Sequence, residues 1–144
     1  MLMERVTHSA EETRIVGEEI AKQISVPACV FLSGDLGAGK TVISSGIVNG
    51  LTRKNYMVTS PTFTILQEYQ GEIKVNHFDL YRITDENELE NIGIYEYLFD
   101  NNAVNIFEWP ERANSISNYA ENLYLVNILK VDDKKRKITF EKIK

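Results

Sequence analysis

Phe31-Leu32-Ser33-Gly34-Asp35-Leu36-Gly37-Ala38-Gly39-Lys40-Thr41 is the stretch on which the reading of this chain turns. From Gly34 to Thr41 it spells G-x-x-x-x-G-K-T, the phosphate-binding P-loop pattern. Its glycines let the backbone curl so that successive N–H groups face an anion. Lys40 would bring a full positive charge to the β- and γ-phosphates, and the Thr41 hydroxyl is a hard oxygen ligand for Mg²⁺. The positive end of the following helix points at the same anion. The flanks agree with this setting. Ala28-Cys29-Val30-Phe31-Leu32 is a short apolar run, as a buried parallel strand should be. Beyond the loop, Ile43, Ile47 and Leu51 recur at helical spacing with Val48 beside them. Strand, loop and helix predict an α/β P-loop NTPase fold, a compact mixed β-sheet flanked by helices. All of Gly34, Asp35, Leu36, Gly37, Ala38, Gly39, Lys40 and Thr41 become candidate nucleotide ligands.

The chain as a whole sets bounds on this reading. Its 144 residues suit one domain, 1–144, with room for a real core. A hydrophobic content of 43% with 26% charged residues is that of a soluble globular protein. No apolar run reaches the length of a bilayer span, and Met1-Leu2-Met3-Glu4-Arg5 lacks the apolar core of a signal peptide. The one cysteine, Cys29, falls in the predicted buried strand and reads as a structural thiol. A cytoplasmic location is expected. A formal net charge of −5 argues against a protein that grips a nucleic-acid backbone by itself, though not against work in a complex containing RNA.

Ser9-Ala10-Glu11-Glu12 carries a capping-box pattern, and Val16, Ile20 and Ile24 then recur every four residues. This predicts a helix from Ala10 to Ile24, ended before Pro27. The P-loop helix is predicted to run from Gly39 to Arg53. The connection Lys54–Thr62 has no clear periodicity and is either an ordinary surface loop or a switch segment facing the γ-phosphate. Phe63–Tyr69 and Ile73–Asp79 alternate about Gly71, which predicts a β-hairpin with Ile73, Val75, His77 and Asp79 on one face. Asp85 with Glu88 marks a further helix start and Gly93 its end. Ala103–Phe107 is another strand, stopped by Pro110. Arg112–Glu121 reads as irregular. Leu123–Val131 and Ile138–Ile143 form a closing hairpin, and Lys134-Lys135-Arg136-Lys137 between them reads as its solvated turn rather than a nucleic-acid patch.

A P-loop site needs a carboxylate that the loop does not supply. Asp79 and Glu108 each close a strand, so either can reach the crevice above the carboxyl ends. His77, two residues before Asp79, is either a satisfied core histidine or part of the site. Trp109 reads as packing. No arginine stands where it could neutralise charge on the phosphates: Arg53, Arg82 and Arg112 are scattered. This weakens the alternative of a small P-loop metabolite kinase, whose class needs a lid with several arginines. A non-catalytic adaptor, gated by ATP, remains a second alternative. The Asn-Lys-x-Asp signature of guanine readers is absent, which leans toward ATP.

Four motifs occur in order: Ser33–Thr41, Ser-Pro-Thr-Phe at 60–63, His-Phe-Asp-Leu-Tyr-Arg at 77–82 and Glu-Trp-Pro-Glu at 108–111. With them the chain closely resembles the TsaE (YjeE) family, bacterial P-loop ATPases of transfer-RNA threonylcarbamoyladenosine biosynthesis. The resemblance runs from the first helix to Glu111; the final hairpin matches only in type. It implies binding of ATP and Mg²⁺ and work with TsaB and TsaD, which attach the threonylcarbamoyl group to tRNA. ATP hydrolysis would support their turnover, and tRNA would be met only through the assembly. It further implies Thr41 and Glu108 at Mg²⁺, Asp79 in the ATPase site, Thr62 as a sensor of the γ-phosphate, and a nucleotide contact near Ser9 and Ala10.

Overall fold

The computed structural model describes residues 2–35, 37–61 and 65–144. At its centre runs β2 (Ala28–Ser33), the apolar run expected before the loop. It pairs in parallel with β5 (Ala103–Glu108) on one side and β6 (Leu123–Lys130) on the other. Beyond β5 lies β4 (Lys74–Asp79), also parallel. These strands have cover on both faces, which is why β2 and β5 read as nearly unbroken apolar runs. Antiparallel strands finish both edges. β3 (Leu66–Tyr69) pairs with β4, Tyr69 opposite Val75, as the predicted hairpin requires. β7 (Arg136–Lys142) returns beside β6, and β1 (Leu2–Thr7) lies outside β7, giving the order β1-β7-β6-β2-β5-β4-β3.

One face of the sheet carries α1 (Ala10–Ala21) and α2 (Lys40–Thr52). Val30, Leu32, Val75, Val104 and Ile106 point to this side and meet Ile43, Ile47 and Leu51 of α2. The helices approach very closely. A Cβ on Gly46 would collide with the Arg14 carbonyl and stand 2.9 Å from the Gly17 Cα, so only glycine fits there. The other face is covered by α3 (Asn87–Asn91), α4 (Ile94–Leu98) and the 3-10 turns Pro110–Arg112 and Asn114–Tyr119. Its core includes Cys29, Phe78, Leu89, Ile94, Phe107 and Ile116, with the Phe78 and Phe107 rings stacked at 4.7 Å. Cys29 is buried as expected, and burial pushes its thiol up to about 12.

Several local expectations change. α1 does have Ser9 as its cap, whose Oγ accepts the Glu12 N–H at 3.1 Å, but it ends at Ala21 rather than Ile24. Residues 22–24 leave the helix in a turn whose last member, Ile24, still packs in the core. α3 begins after Glu86 instead of Asp85. The Asp85 carboxylate accepts the Asn87 N–H at 2.9 Å, and Glu88 accepts from Thr84 rather than closing a capping box. Pro110–Arg112 and Asn114–Tyr119 are 3-10 turns, where Arg112–Glu121 was expected to be irregular. β1 was not expected at all. Among the described residues no helix is long and apolar enough to cross a membrane.

Candidate functional site

Register builds the site. Leu32, the residue before the end of β2, is level with Glu108 on β5, and Glu108 is level with Asp79 on β4. The two carboxylates therefore close adjacent parallel strands at the edge from which the 34–41 loop departs. Lys40 opens α2, and Thr41 follows it. Gly37, Gly39, Lys40, Thr41, Ser60, Asp79, Glu108 and Trp109 all line one cleft of about 680 Å³. Asp35 lines a neighbouring one with Gly34, and Ala38 is buried beneath the loop. Leu36 and Thr62 lie outside the described residues. Of the connection after α2, the first part is fastened down: the Asn49 side chain bonds the N–H and the carbonyl of Tyr56 at 2.8 and 3.1 Å.

The polar groups form a connected set. Lys40 Nζ stands 3.8 Å from Glu108 Oε1, both side chains nearly buried. Glu108 Oε2 is 2.7 Å from His77 Nε2. A carboxylate only accepts, so His77 donates from Nε2. The ring is wholly buried, and its Nδ1 has no partner among the described residues, so its hydrogen bonding is spent on Glu108. His77 thus joins the site instead of being satisfied within the core. Asp79 Oδ1 accepts the Tyr81 N–H at 3.0 Å. Burial, reinforced by the nearby Glu108, holds the Asp79 carboxyl above the usual carboxylate range, against the pull of that N–H, Lys40 and His77.

Trp109 does more than fill space. Its backbone is left-handed, φ 58°, an arrangement that bulky side chains seldom take and that gathers at functional sites. The turn lays the indole under Lys40, whose Nζ is 4.4 Å from the ring centre, and against Tyr81 at 5.0 Å. Among the described residues no group of three or more His, Cys, Asp or Glu is placed to hold a metal alone. The metal donors proposed for the cleft, the Thr41 hydroxyl and the carboxylates of Asp79 and Glu108, are all oxygen. That set fits Mg²⁺, which takes few protein ligands and completes its shell with phosphate and water.

A second cavity, about 390 Å³, adjoins the first across Gly39, Val42 and Arg136. Ser9, Ala10 and Thr13 of α1 and its cap form one wall, and Lys134 from the β6–β7 turn another. The charged turn is therefore not simply solvated, since Lys134 and Arg136 face this cavity. Arg53 pairs with Glu72 and Arg112 lies over Tyr81. Arg136 is fixed at the loop, its Nε donating to the Ala38 carbonyl at 2.8 Å. No spacing in the sequence signals that contact, which spans 98 positions.

The family profile described as "Threonylcarbamoyl adenosine biosynthesis protein TsaE" matches residues 7–138. The tRNA threonylcarbamoyladenosine biosynthesis protein TsaE of Haemophilus influenzae is 43% identical over 105 residues, 72% of this chain and 64% of that protein, so the chain spans just under two thirds of its length. The protein of that name from Bacillus subtilis is 39% identical over 139 residues, covering 93% of this chain and 82% of its own. That of Treponema pallidum is 32% identical over 137 residues, with 95% and 98% covered. Among solved structures, the crystal structure of Bacillus subtilis YdiB superposes with a TM-score of 0.74 at 27% identity, covering all of this chain and 87% of that one.

Proposed function

This chain belongs to the TsaE family, and on that premise we propose that its 144 residues work as one Mg²⁺-dependent ATPase domain in the cytoplasm. In this reading it supports TsaB and TsaD in forming threonylcarbamoyladenosine and meets tRNA only through them. The observation that carries it is the register that sets Asp79 beside Glu108, level with the end of β2 and next to Lys40 and Thr41.

Each residue then has a task. The backbone N–H groups of 34–41 and the Lys40 ammonium hold the phosphates. Lys40 leaves Trp109 and Glu108 to do so. Thr41, Glu108 and Asp79 offer oxygens to Mg²⁺, which when bound neutralises charge on the β- and γ-phosphate oxygens. His77 holds Glu108 by one oxygen, leaving the other toward the cleft. The second cavity takes adenine, with Ala10 and Val42 as its apolar side. Thr62 reads the γ-phosphate when TsaB and TsaD engage the 54–62 connection.

The test is single-turnover phosphate release at saturating ATP, alone and with TsaB and TsaD. The partners should raise the rate severalfold or more. Glu108→Ala should lower it about 100-fold while ATP still binds, and Thr62→Ala should remove the stimulation. Equal rates with and without partners sink the gating role. Tight ATP binding with no release under either condition favours the adaptor.

A further inference from the structure

Arg136 is the first residue of β7, but its side chain leaves the hairpin. Nε donates to the Ala38 carbonyl at 2.8 Å and Nη2 to the Gly37 carbonyl at 3.4 Å. The remaining terminal nitrogen, Nη1, donates to the carbonyls of Asp132 and Lys135 in its own turn, at 2.7 and 3.2 Å. One guanidinium thus ties the phosphate loop to the far end of the chain. Ile128 of β6 supports the same loop from below. A Cβ on Gly34 would lie 2.7 Å from its Cγ2, and one on Gly39 3.2 Å from its Cδ1.

Peptide geometry gives this contact a consequence. In a trans peptide the C=O and the next N–H point to opposite edges. Holding the Ala38 carbonyl toward the hairpin turns the Gly39 N–H the other way. Holding the Gly37 carbonyl does the same for the Ala38 N–H, which in this structure donates to Asp35 within the loop at 3.0 Å. We propose that Arg136 is a positioning residue that pins the Gly37 and Ala38 carbonyls outward, so that the Gly39 N–H is set for phosphate before a nucleotide arrives and the Ala38 N–H has only its bond to Asp35 to release. The inference rests on the reading of 34–41 as the phosphate site. The fork is essential to it. Four carbonyls on two segments are reached by three separate nitrogens, and a lysine ammonium offers only one.

Calorimetric titration with inorganic pyrophosphate, ADP and adenosine separates the possibilities, using the native chain, Arg136→Lys and Arg136→Ala. Pyrophosphate and ADP should bind about 10–100-fold more weakly to both variants, the range expected for lost hydrogen bonds to a charged group. Adenosine affinity should fall far less than that of pyrophosphate, because Arg136 is one of several residues lining the second cavity, and added guanidinium at low concentration should restore part of the pyrophosphate affinity of Arg136→Ala. Full pyrophosphate affinity in Arg136→Lys overturns the inference, because charge alone would then suffice. An equal loss for adenosine also overturns it, in favour of a wall for the base. If Arg136→Ala does not fold, Arg136→Lys and Arg136→Gln carry the same comparison. A native chain that binds neither pyrophosphate nor ADP would instead overturn the phosphate-site reading beneath it.

Discussion

The two faces of the sheet are covered by helices of very different build. On one, α1 and α2 are long and meet backbone to backbone at Gly17 and Gly46. On the other, α3 and α4 are five residues each, and the space is filled by side chains such as Phe78, Phe107 and Ile116. The first face also supplies the site: the N-terminus of α2 continues from the phosphate loop, and the cap of α1 lines the adjoining cavity. A helix contact without side chains between the backbones leaves little slack in the spacing of those two ends. The second face only has to be full. Position on the first face is therefore tied to function, and volume on the second to stability.

This contrast can be broken by crossing the two effects. The larger loss of stability should come from the second face. Ile94→Ala, which empties a side chain 2% exposed, should cost about 2–5 kcal/mol in chemical denaturation. Its ADP affinity, measured on the folded fraction, should stay native; a parallel fall in affinity would erase the distinction. On the first face the order reverses. Gly46→Ala should cost less, about 1–3 kcal/mol, by forcing α1 off α2, yet it should weaken ADP several-fold because Ser9 and Ala10 move away from Gly39. An unchanged ADP affinity in a destabilised Gly46→Ala would show that the helix spacing does not set the site. The smallest effect concerns Cys29, beneath the second face. Its thiol titrates near 12 in the folded chain against about 9 when free. The raised value means that the folded state favours the protonated form. That contribution is complete below about pH 9 and is lost as pH rises toward 12. A thiol reagent at about pH 8 should leave the native chain unmodified and react only as it unfolds. Rapid labelling of the native chain would contradict this burial.

The sequence announces those parts of the molecule that depend on near neighbours. The helix that follows the 34–41 motif, the hairpin pairing that ends in Asp79 and the strand ending in Glu108 are all local patterns, and among the described residues each stands where its pattern predicts. β1 escaped because only Met3 and Thr7 of its six residues are buried, so an edge strand offers almost no alternation to read. Arg136 escaped for a different reason. Within its turn it is one basic residue among four, and only the order β7-β6-β2 brings it beside the loop. His77 stood between. Its face was legible from alternation, but its bond to Glu108 depends on β4 lying next to β5.

Trp109 has one more consequence. It is the only tryptophan in the chain, and the ammonium of Lys40 rests on its ring. A ligand that draws Lys40 onto phosphate takes the cation from the indole, and the emission of that single fluorophore changes with it. Occupancy of the phosphate loop can then be followed by ultraviolet light alone, without a dye or a label.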